Sequence, residues 1–414
     1  MRLIEKLVLI ASLLFVISNV FAQVRVNTAR VEITEQNRGR QVTLGQAALS
    51  QVFVKISGDR NIVEADVIKR AIKNYEQYLI TSRYGQEQDF AFFEARFNQE
   101  KIIQLLKVSG LPVWSELRPN AVIWLASNIN KNIESVSQNS GKGLANTIKN
   151  TAQSRGVEIY LPIGDLEDTL ALDAFDIWTQ NINKIKSQSF RYNADFIISA
   201  SINPIRDDLS EVDLDALNQT ASAEQPIDPE EIEVIDEVQN QIEQLDETFD
   251  SIEDTESDNA IEENTAAIKE IEIPEGASLF LNYAIIEDTK TDVGRIYGTT
   301  ENEVTAELIH KFADKLARQF AVVGTDTQES QRIIIQISNI KSLQSLHEVQ
   351  EIFSSMPIVR SAHLKQQNVD KAIFEIDMVD QLDKFLTLIE IDQRLTRDLS
   401  QENDLQTISF FWNR

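Results

Sequence analysis

Three carboxylates that follow a predicted strand are the residue group best suited to chemistry in this sequence. Asp165, Glu167 and Asp168 come directly after the strand predicted over 157–162. Open α/β sheets bind ligands beyond such strand ends, and calcium takes six or more oxygen ligands, so the three could supply part of a metal site. The competing interpretation, which we favour, is that they cap the next helix and complement its positive end.

The sequence carries no familiar catalytic motif. Its three histidines, His310, His347 and His363, form no pair at metal-binding spacing, and His-Glu-x-x-His and Gly-x-Ser-x-Gly motifs are absent. Residues 140–143, Ser-Gly-Lys-Gly, are superficially similar to a phosphate-binding loop but lack its upstream glycine. We therefore assign no catalytic residue, no cofactor and no metal ligand beyond the three candidates, and expect a protein that is not an enzyme.

A second candidate site is an apolar seam inside an acidic stretch. Apolar residues at spacings of three and four predict a short heptad helix over 231–253, namely Ile235, Val238, Ile242, Leu245, Phe249 and Ile252. The helix could fold on docking into the groove of a partner protein. It could equally be a marginal helix in a disordered spacer, because about three heptads are short for a stable coiled coil. Both interpretations stay open.

The acidic charge of the chain is concentrated in one segment. Residues 207–275 contain 25 acidic residues against one basic residue, Lys269, and so account for −24 of the net charge of −27. Self-repulsion predicts an acidic, largely disordered insert over 206–275. Because phosphate binding needs clustered Lys and Arg, nucleic acid is not an expected partner.

The N-terminus has the pattern of a signal peptide. A short basic region with Arg2 and Lys6 precedes an apolar run, and Val20-Phe21-Ala22 offers small residues at the two positions that signal peptidase reads. We predict that residues 1–22 are removed after Ala22 and that the protein is periplasmic, with an uncleaved anchor as the alternative. No later segment is apolar enough to span a membrane. With no cysteine, the chain has no disulfide framework and no lipid-anchor site.

The remaining patterns predict a multi-domain chain of mixed α+β and α/β class. A small N-terminal α+β domain covers 23–115 and could include an extra short strand near 79–84. A central β-α-β-α-β sheet domain covers 119–205 and 276–325, with the insert between two strands, and crossover helices imply parallel pairing. Its apolar patterns predict a strand buried on both faces over 121–126, a polar loop over 127–142 and a helix over 173–187. After the insert we predict a hairpin of strands over 279–286 and 293–297 and a helix with one apolar face over 303–320. A C-terminal ferredoxin-like βαββαβ module covers 330–414. The seam between the first two domains is 111–126, whose two tryptophans, Trp114 and Trp124, we expect in the core.

Four segments together resemble a known family. They are VFVKISGDR (52–60), GLPVWSELRPNAVIWLA (110–126), YLPIGDLED (160–168) and RYNADFIISASI (191–202). In this order they are similar to the bacterial domain-of-unknown-function family 2066 of exported proteobacterial proteins. The resemblance implies a Gram-negative envelope setting and brings no catalytic residue with it.

These observations predict an exported, non-enzymatic binding or assembly module of the cell envelope with an envelope protein as its partner. The alternative is a periplasmic hydrolase or metal-dependent ligand-binding protein that uses Asp165, Glu167 and Asp168.

Overall fold

The computed structural model describes residues 25–35, 37, 39–87, 90–114, 116–129, 132–140, 142–205, 273–288, 290–323, 331–379, 382–392, 394–399 and 407–413. Over these ranges the chain is a mixed α+β, multi-domain protein built on three sheets, which confirms the predicted fold class. Contacts divide it into two units, Met1–Pro204 with Ser278–Arg414, and Ile205–Ala277. All elements below belong to the first unit.

Three predictions lie outside the described residues. They are the signal peptide with its cut after Ala22, the charged segment between 206 and 272, and the heptad helix over 231–253 with its six apolar residues. These remain predictions from the sequence.

The N-terminal domain packs helices against a three-stranded antiparallel sheet of order β1-β3-β2. Alternate side chains of its central strand, Phe93, Ala95 and Phe97, are buried in the core shared with the first helix, as the two-residue period of a strand requires. The edge strand β2 is longer than the short strand predicted near 79–84. The elements are β1 (Thr28–Glu32), α1 (Gln41–Ser57), α2 (Asp66–Lys73), β2 (Leu79–Glu87), β3 (Phe90–Phe97) and α3 (Gln99–Val108).

The central domain is a six-stranded mixed sheet of order β5-β4-β7-β8-β9, with β6 also paired to β4. The predicted parallel pairing is confirmed, because β4 runs parallel to both β6 and β7. The predicted hairpin is also confirmed, since β8 and β9 pair antiparallel. Strand β5 lies where we predicted only a polar loop. The strands are β4 (Asn120–Ser127), β5 (Glu134–Val136), β6 (Glu158–Tyr160), β7 (Phe196–Pro204), β8 (Leu279–Glu287) and β9 (Lys290–Gly298).

Helices cover both faces of this sheet, and β4 is accordingly apolar and buried from Ala121 to Ala126. On one face, Ile123 and Leu125 join the core formed with α4 (Lys142–Arg155) and α8 (Glu301–Phe320). On the other, Val122 and Trp124 pack in a core with the helices α6 (Ala174–Trp178) and α7 (Ile182–Ser189) and with Leu172, which directly follows α5 (Leu166–Ala171).

The single helix that we predicted over 173–187 is wrong. The structure places two helices there, α6 and α7, separated at Thr179–Asn181. Gln180 adopts a left-handed backbone with φ of 55°, and its side chain donates to the carbonyl of Asn282. Asn181 then caps α7 by accepting from the N–H of Lys184. A residue with positive φ cannot continue a right-handed helix, so the chain breaks at this point.

The C-terminal module keeps the split β-α-β order of the predicted ferredoxin-like unit. Strand β12 lies between β11 and β10, antiparallel to both, while β14 runs parallel to β10 on its other side. A short strand that we did not predict, β13, pairs antiparallel with β14 and forms the edge. The elements are β10 (Gln331–Ser338), α9 (Leu343–Ser355), β11 (Val359–Gln367), β12 (Lys371–Met378), α10 (Leu382–Glu390), β13 (Leu395–Arg397) and β14 (Thr407–Trp412).

Three buried cations, Lys55, Arg118 and Arg155, lie where the N-terminal and central domains meet; we call them the cationic junction. The guanidinium of Arg118 stacks on the Trp114 ring at 3.8 Å and donates to the carbonyls of Lys55, Arg155 and Gly156. Arg155 donates to the carbonyl of Gly58, just beyond α1, and to the carboxylate of Asp314 on α8. Trp114 and Trp124 are both buried, as predicted.

Candidate functional site

Asp165 begins α5 as its N-cap. Its side chain accepts a hydrogen bond of 2.9 Å from the backbone N–H of Asp168, three residues on, while its own backbone is extended. This geometry satisfies one of the N–H groups that have no acceptor within the helix. The capping role that we favoured from the sequence is therefore the one that Asp165 has.

Arg191, in the turn before β7, brings the three carboxylates together. Its Nη1 lies 3.0 Å from Oδ1 of Asp165 and 2.9 Å from Oδ1 of Asp168, and its Nη2 lies 2.9 Å from Oδ2 of Asp165. The carboxylate of Glu167 is 3.5 Å away and remains largely exposed. One guanidinium thus contacts all three acids that the sequence singled out.

Asp168 is buried and fully engaged by its neighbours. Its Oδ2 accepts from the hydroxyl of Tyr192 at 2.6 Å and from the backbone N–H of Gly164 at 2.9 Å, and its Oδ1 accepts from Gln188 at 3.0 Å. With Arg191, these donors use the lone pairs that a metal ion would need. We call Asp165, Asp168, Arg191 and Tyr192 the acidic clamp.

Electrostatics keep both carboxylates of the acidic clamp ionised and the Tyr192 hydroxyl protonated. The hydrogen bond from Arg191, together with the helix N–H groups, lowers the pKa of Asp165 to about 2. Burial alone would raise the pKa of Asp168, but hydrogen bonds from Tyr192 and Gln188 outweigh it and hold that pKa below the usual value. Burial and the bond to Asp168 raise the pKa of Tyr192 to about 12. No member of the clamp is therefore a proton donor or acceptor near neutral pH.

The geometry thus ties the β6–α5 loop to the turn before β7. Within the described parts of the chain, no group of three or more His, Cys, Asp or Glu side chains is placed to hold a metal ion. The sequence showed Asp165 and Asp168 but not the donors that neutralise them, because Arg191 is 26 residues away from Asp165 and only the fold makes them neighbours.

The three histidines lie on three different elements, His310 on α8, His347 on α9 and His363 on β11.

Several exposed apolar side chains lie on the elements that carry the acidic clamp or next to them in the chain. Leu166 and Leu170 are about one helical turn apart on α5, and Phe190 directly precedes Arg191. We define the α5–α6 apolar surface by five side chains and their exposed fractions: Ile163 40 %, Leu166 73 %, Leu170 79 %, Phe175 57 % and Phe190 84 %. Single exposed apolar residues are normal, but a group on adjacent elements indicates an interaction site.

A cavity of about 480 Å³ opens elsewhere, at the carboxyl end of β4. Its lining includes Ser127, Glu134 and Glu301 with an apolar wall that contains Val136 and Leu144. The Ser127 hydroxyl donates to the Glu301 carboxylate. The volume is within the range of small-molecule sites, and the position is where open α/β sheets bind ligands.

Comparison with known proteins matches residues 22–115 to a family described as a domain of unknown function (DUF8605). The match covers less than a quarter of the chain. It overturns the resemblance to family 2066, since the family model that matches the N-terminal domain is a different one. The short motifs that suggested family 2066 are mostly core strand and junction segments, whose apolar pattern is common to many sheet proteins.

No curated protein matches the chain. A crystal structure of S. aureus homoserine dehydrogenase at pH 6.5 shares 14 % identity over 26 % of this chain and 28 % of its own, with a TM-score of 0.12. At that score the likeness carries no argument about fold or function. Among the residues that the structure describes, no helix has the length and apolarity needed to cross a bilayer.

Proposed function

We propose that this protein is an exported, non-enzymatic binding or assembly module of the Gram-negative cell envelope, acting in the periplasm on a protein partner. The observation that carries the proposal is the set of five large exposed apolar side chains that define the α5–α6 apolar surface, on and beside the elements that carry an internally satisfied acidic clamp. A surface of this kind is typical of binding proteins rather than of catalytic clefts.

Export is supported by the signal-peptide pattern of residues 1–22. The test is expression of the full chain in a Gram-negative host, followed by osmotic shock and intact mass measurement. We expect a periplasmic product that begins at Gln23. A full-length product in the cytosol would contradict the proposal.

Binding is tested by chemical cross-linking in envelope extracts. The wild-type chain, a Leu166→Gln, Leu170→Gln double variant, and a chain without residues 207–275 are compared by mass spectrometry. We expect one reproducible partner, lost or reduced in the double variant. If all three chains yield no cross-linked protein, the proposed function is wrong.

The alternative function, a hydrolase or metal-dependent ligand-binding protein using Asp165, Glu167 and Asp168, faces a physical obstacle. Arg191 holds a positive charge 2.9 Å from both aspartates, so a cation could bind only after that guanidinium moves away. Calcium titration should leave the melting temperatures of the wild type and of an Asp165→Asn, Asp168→Asn variant equally unchanged. A calcium-dependent increase in the wild type alone would favour the alternative.

A further inference from the structure

We propose that the cavity at the carboxyl end of β4 is a binding site for a small organic amine. The ammonium group of the ligand contacts Ser127, Glu134 and Glu301, and its apolar part lies against Val136 and Leu144. The inference goes beyond the proposed function, because it concerns a small molecule rather than a protein partner. Three observations support it: the convergence of the polar side chains, their hydrogen-bonding character and the apolar remainder of the lining.

Strand pairing places Ser127 and Glu134 on the same face of the central sheet. The two residues are direct partners in the antiparallel pairing of β4 with β5, and directly opposed residues of such a pair point to the same side. That side is the one covered by α4 and α8, because Leu125, two residues before Ser127, lies in the core formed with those helices. The helices α6 and α7 pack on the opposite face.

Glu301 brings a second carboxylate to the same place. It is the first residue of α8, and its carboxylate accepts a hydrogen bond from the Ser127 hydroxyl. Other residues cap the helix: the Thr300 side chain accepts from the N–H of Glu303, and the Glu303 carboxylate accepts from the backbone N–H of Thr299 at 2.9 Å. Capping therefore leaves the Glu301 carboxylate able to bind a ligand.

The polar groups at this point of the cavity accept hydrogen bonds. An ionised carboxylate only accepts, and the Ser127 hydroxyl uses its one proton on Glu301, so its lone pairs remain. Glu134 and Glu301 are the only charged side chains in the described lining, and neither forms an ion pair with a side chain that the structure describes. An ammonium group has three N–H donors and a positive charge, so it matches this set, whereas the two carboxylates would repel an anion.

Much of the remaining lining is apolar and rigid. Val136 is 8 % exposed and belongs to the core of the central domain, and Ile129 and Leu144 pack against that core. The helices on either side of the cavity are joined as well, because the Thr147 hydroxyl of α4 donates to the side chain of Asn302 on α8 at 2.8 Å. A site formed in advance loses less entropy on binding, and its apolar part favours an amine with an apolar body.

The experiment measures binding of phenethylamine to the full mature chain by isothermal titration calorimetry at pH 7. Three probes of similar shape are compared: 2-phenylethanol is neutral, 3-phenylpropanoate is an anion, and L-phenylalanine carries both an ammonium and a carboxylate. We expect phenethylamine to bind about tenfold or more tightly than the alcohol and the anion. Binding of L-phenylalanine at similar affinity would support the site as one for amino acids, and weaker binding would support simple amines.

Two variants test the carboxylates. Glu301→Gln should weaken phenethylamine binding about tenfold, and Glu134→Gln, at a more exposed residue, about threefold. The matched control is Glu100→Gln, because Glu100 is also an acid in the first turn of a helix but lies on α3 of the N-terminal domain. General attraction of a cation to an acidic chain would weaken equally in all three variants. Equal weakening, or unchanged binding in both cavity variants, overturns the proposal.

The choice of probes also tests the opposite charge. Lys131 and Lys142 are neighbours in sequence of the lining residues Asn132 and Gly143. If basic groups set the charge of the site, 3-phenylpropanoate would bind in preference to phenethylamine, and that result overturns the proposal, as does the absence of binding by all four probes. The melting temperature of each variant is measured alongside, and Glu134→Gln, at an exposed residue, keeps the test valid if Glu301→Gln unfolds the chain. These outcomes do not involve the leucines of α5, so they leave the proposed function to its own cross-linking test.

Discussion

Replacing Lys55 by methionine measures the free energy that is needed to keep a charged side chain in the cationic junction. Lys55 lies in the last turn of α1, is 3 % exposed, and its ammonium donates to the carbonyl of Thr28 at 2.8 Å. Burial, with a smaller contribution from the nearby charge of Arg118, lowers the pKa of Lys55 from 10.5 to about 8. Methionine keeps the length and apolar stem of the side chain and removes the charge.

The sign of the pH effect follows from linkage. Because the pKa in the folded state is lower than in the unfolded state, the unfolded chain binds more protons between pH 8 and 10.5, and stability rises with pH over that window. At about 1.4 kcal/mol per pKa unit, the wild type should gain about 2 kcal/mol relative to Lys55→Met between pH 7 and 9.5. At pH 7 the variant should be the more stable protein, since lysine is then charged and buried.

The assay is guanidinium unfolding of both proteins at half-unit steps from pH 7 to 9.5. Circular dichroism and tryptophan fluorescence are recorded together, because a multi-domain chain need not unfold in one step. Lys73→Met, at an exposed lysine of α2, is the control for the loss of one positive charge at the surface. A constant difference between wild type and Lys55→Met across this range, or one that grows as pH rises, would refute the argument.

Three further predictions concern packing and ionisation. Gly58→Ala should destabilise the protein by about 2–4 kcal/mol in denaturant unfolding, because the φ of Gly58 is 77° and an added Cβ would lie 2.5 Å from a side chain of α8. Gly39→Ala is the control, because Gly39 has a similar φ of 74° but open space around it, and it should lose only about 1 kcal/mol. Equal losses in the two variants would contradict this prediction. Arg191→Met should lower the melting temperature at pH 7 by several degrees. The deficit should shrink as pH falls from 4 to 2, because the stabilisation given by the lowered pKa of Asp165 is lost progressively between its unfolded value of 3.8 and its folded value of about 2; a deficit independent of pH would contradict it. Burial raises the pKa of Glu158, so Glu158→Gln should melt a few degrees higher than wild type at pH 8 and lose that advantage at acid pH, as followed by calorimetry.

Long apolar patterns were sufficient to predict the main elements. The continuously apolar run at 121–126 predicted a strand covered on both faces, and the periodic leucines and phenylalanines of α8 predicted its buried side. Two short strands were missed for a physical reason. Strands β5 and β13 have three residues each, and their positions depend on pairing with β4 and β14 rather than on any local pattern.

The candidate site was predicted only in its local part. The spacing of Asp165 and Asp168 predicted a helix cap, since an N-cap contacts the N–H three residues on. The contacts from Arg191 and Tyr192 depend on the crossover that returns the chain to β7, and no local pattern reports such a contact. The exposed leucines of α5 show the same limit, because a helix of six residues is too short for its periodicity to indicate which side is buried.

The cationic junction shows why the N-terminal and central domains pack together despite three buried positive charges. Arg118 donates to the carbonyls of Lys55, in the last turn of α1, and of Arg155 and Gly156, at the end of α4. Arg155 donates to the carbonyl of Gly58, just beyond α1. The last carbonyls of a helix have no partner within it and carry the negative end of its dipole, so these acceptors compensate buried cations without needing a carboxylate for each. The two helix ends are brought together only when both domains are folded. The junction therefore requires the exact juxtaposition of α1 and α4, which two apolar surfaces alone could approximate in several registers.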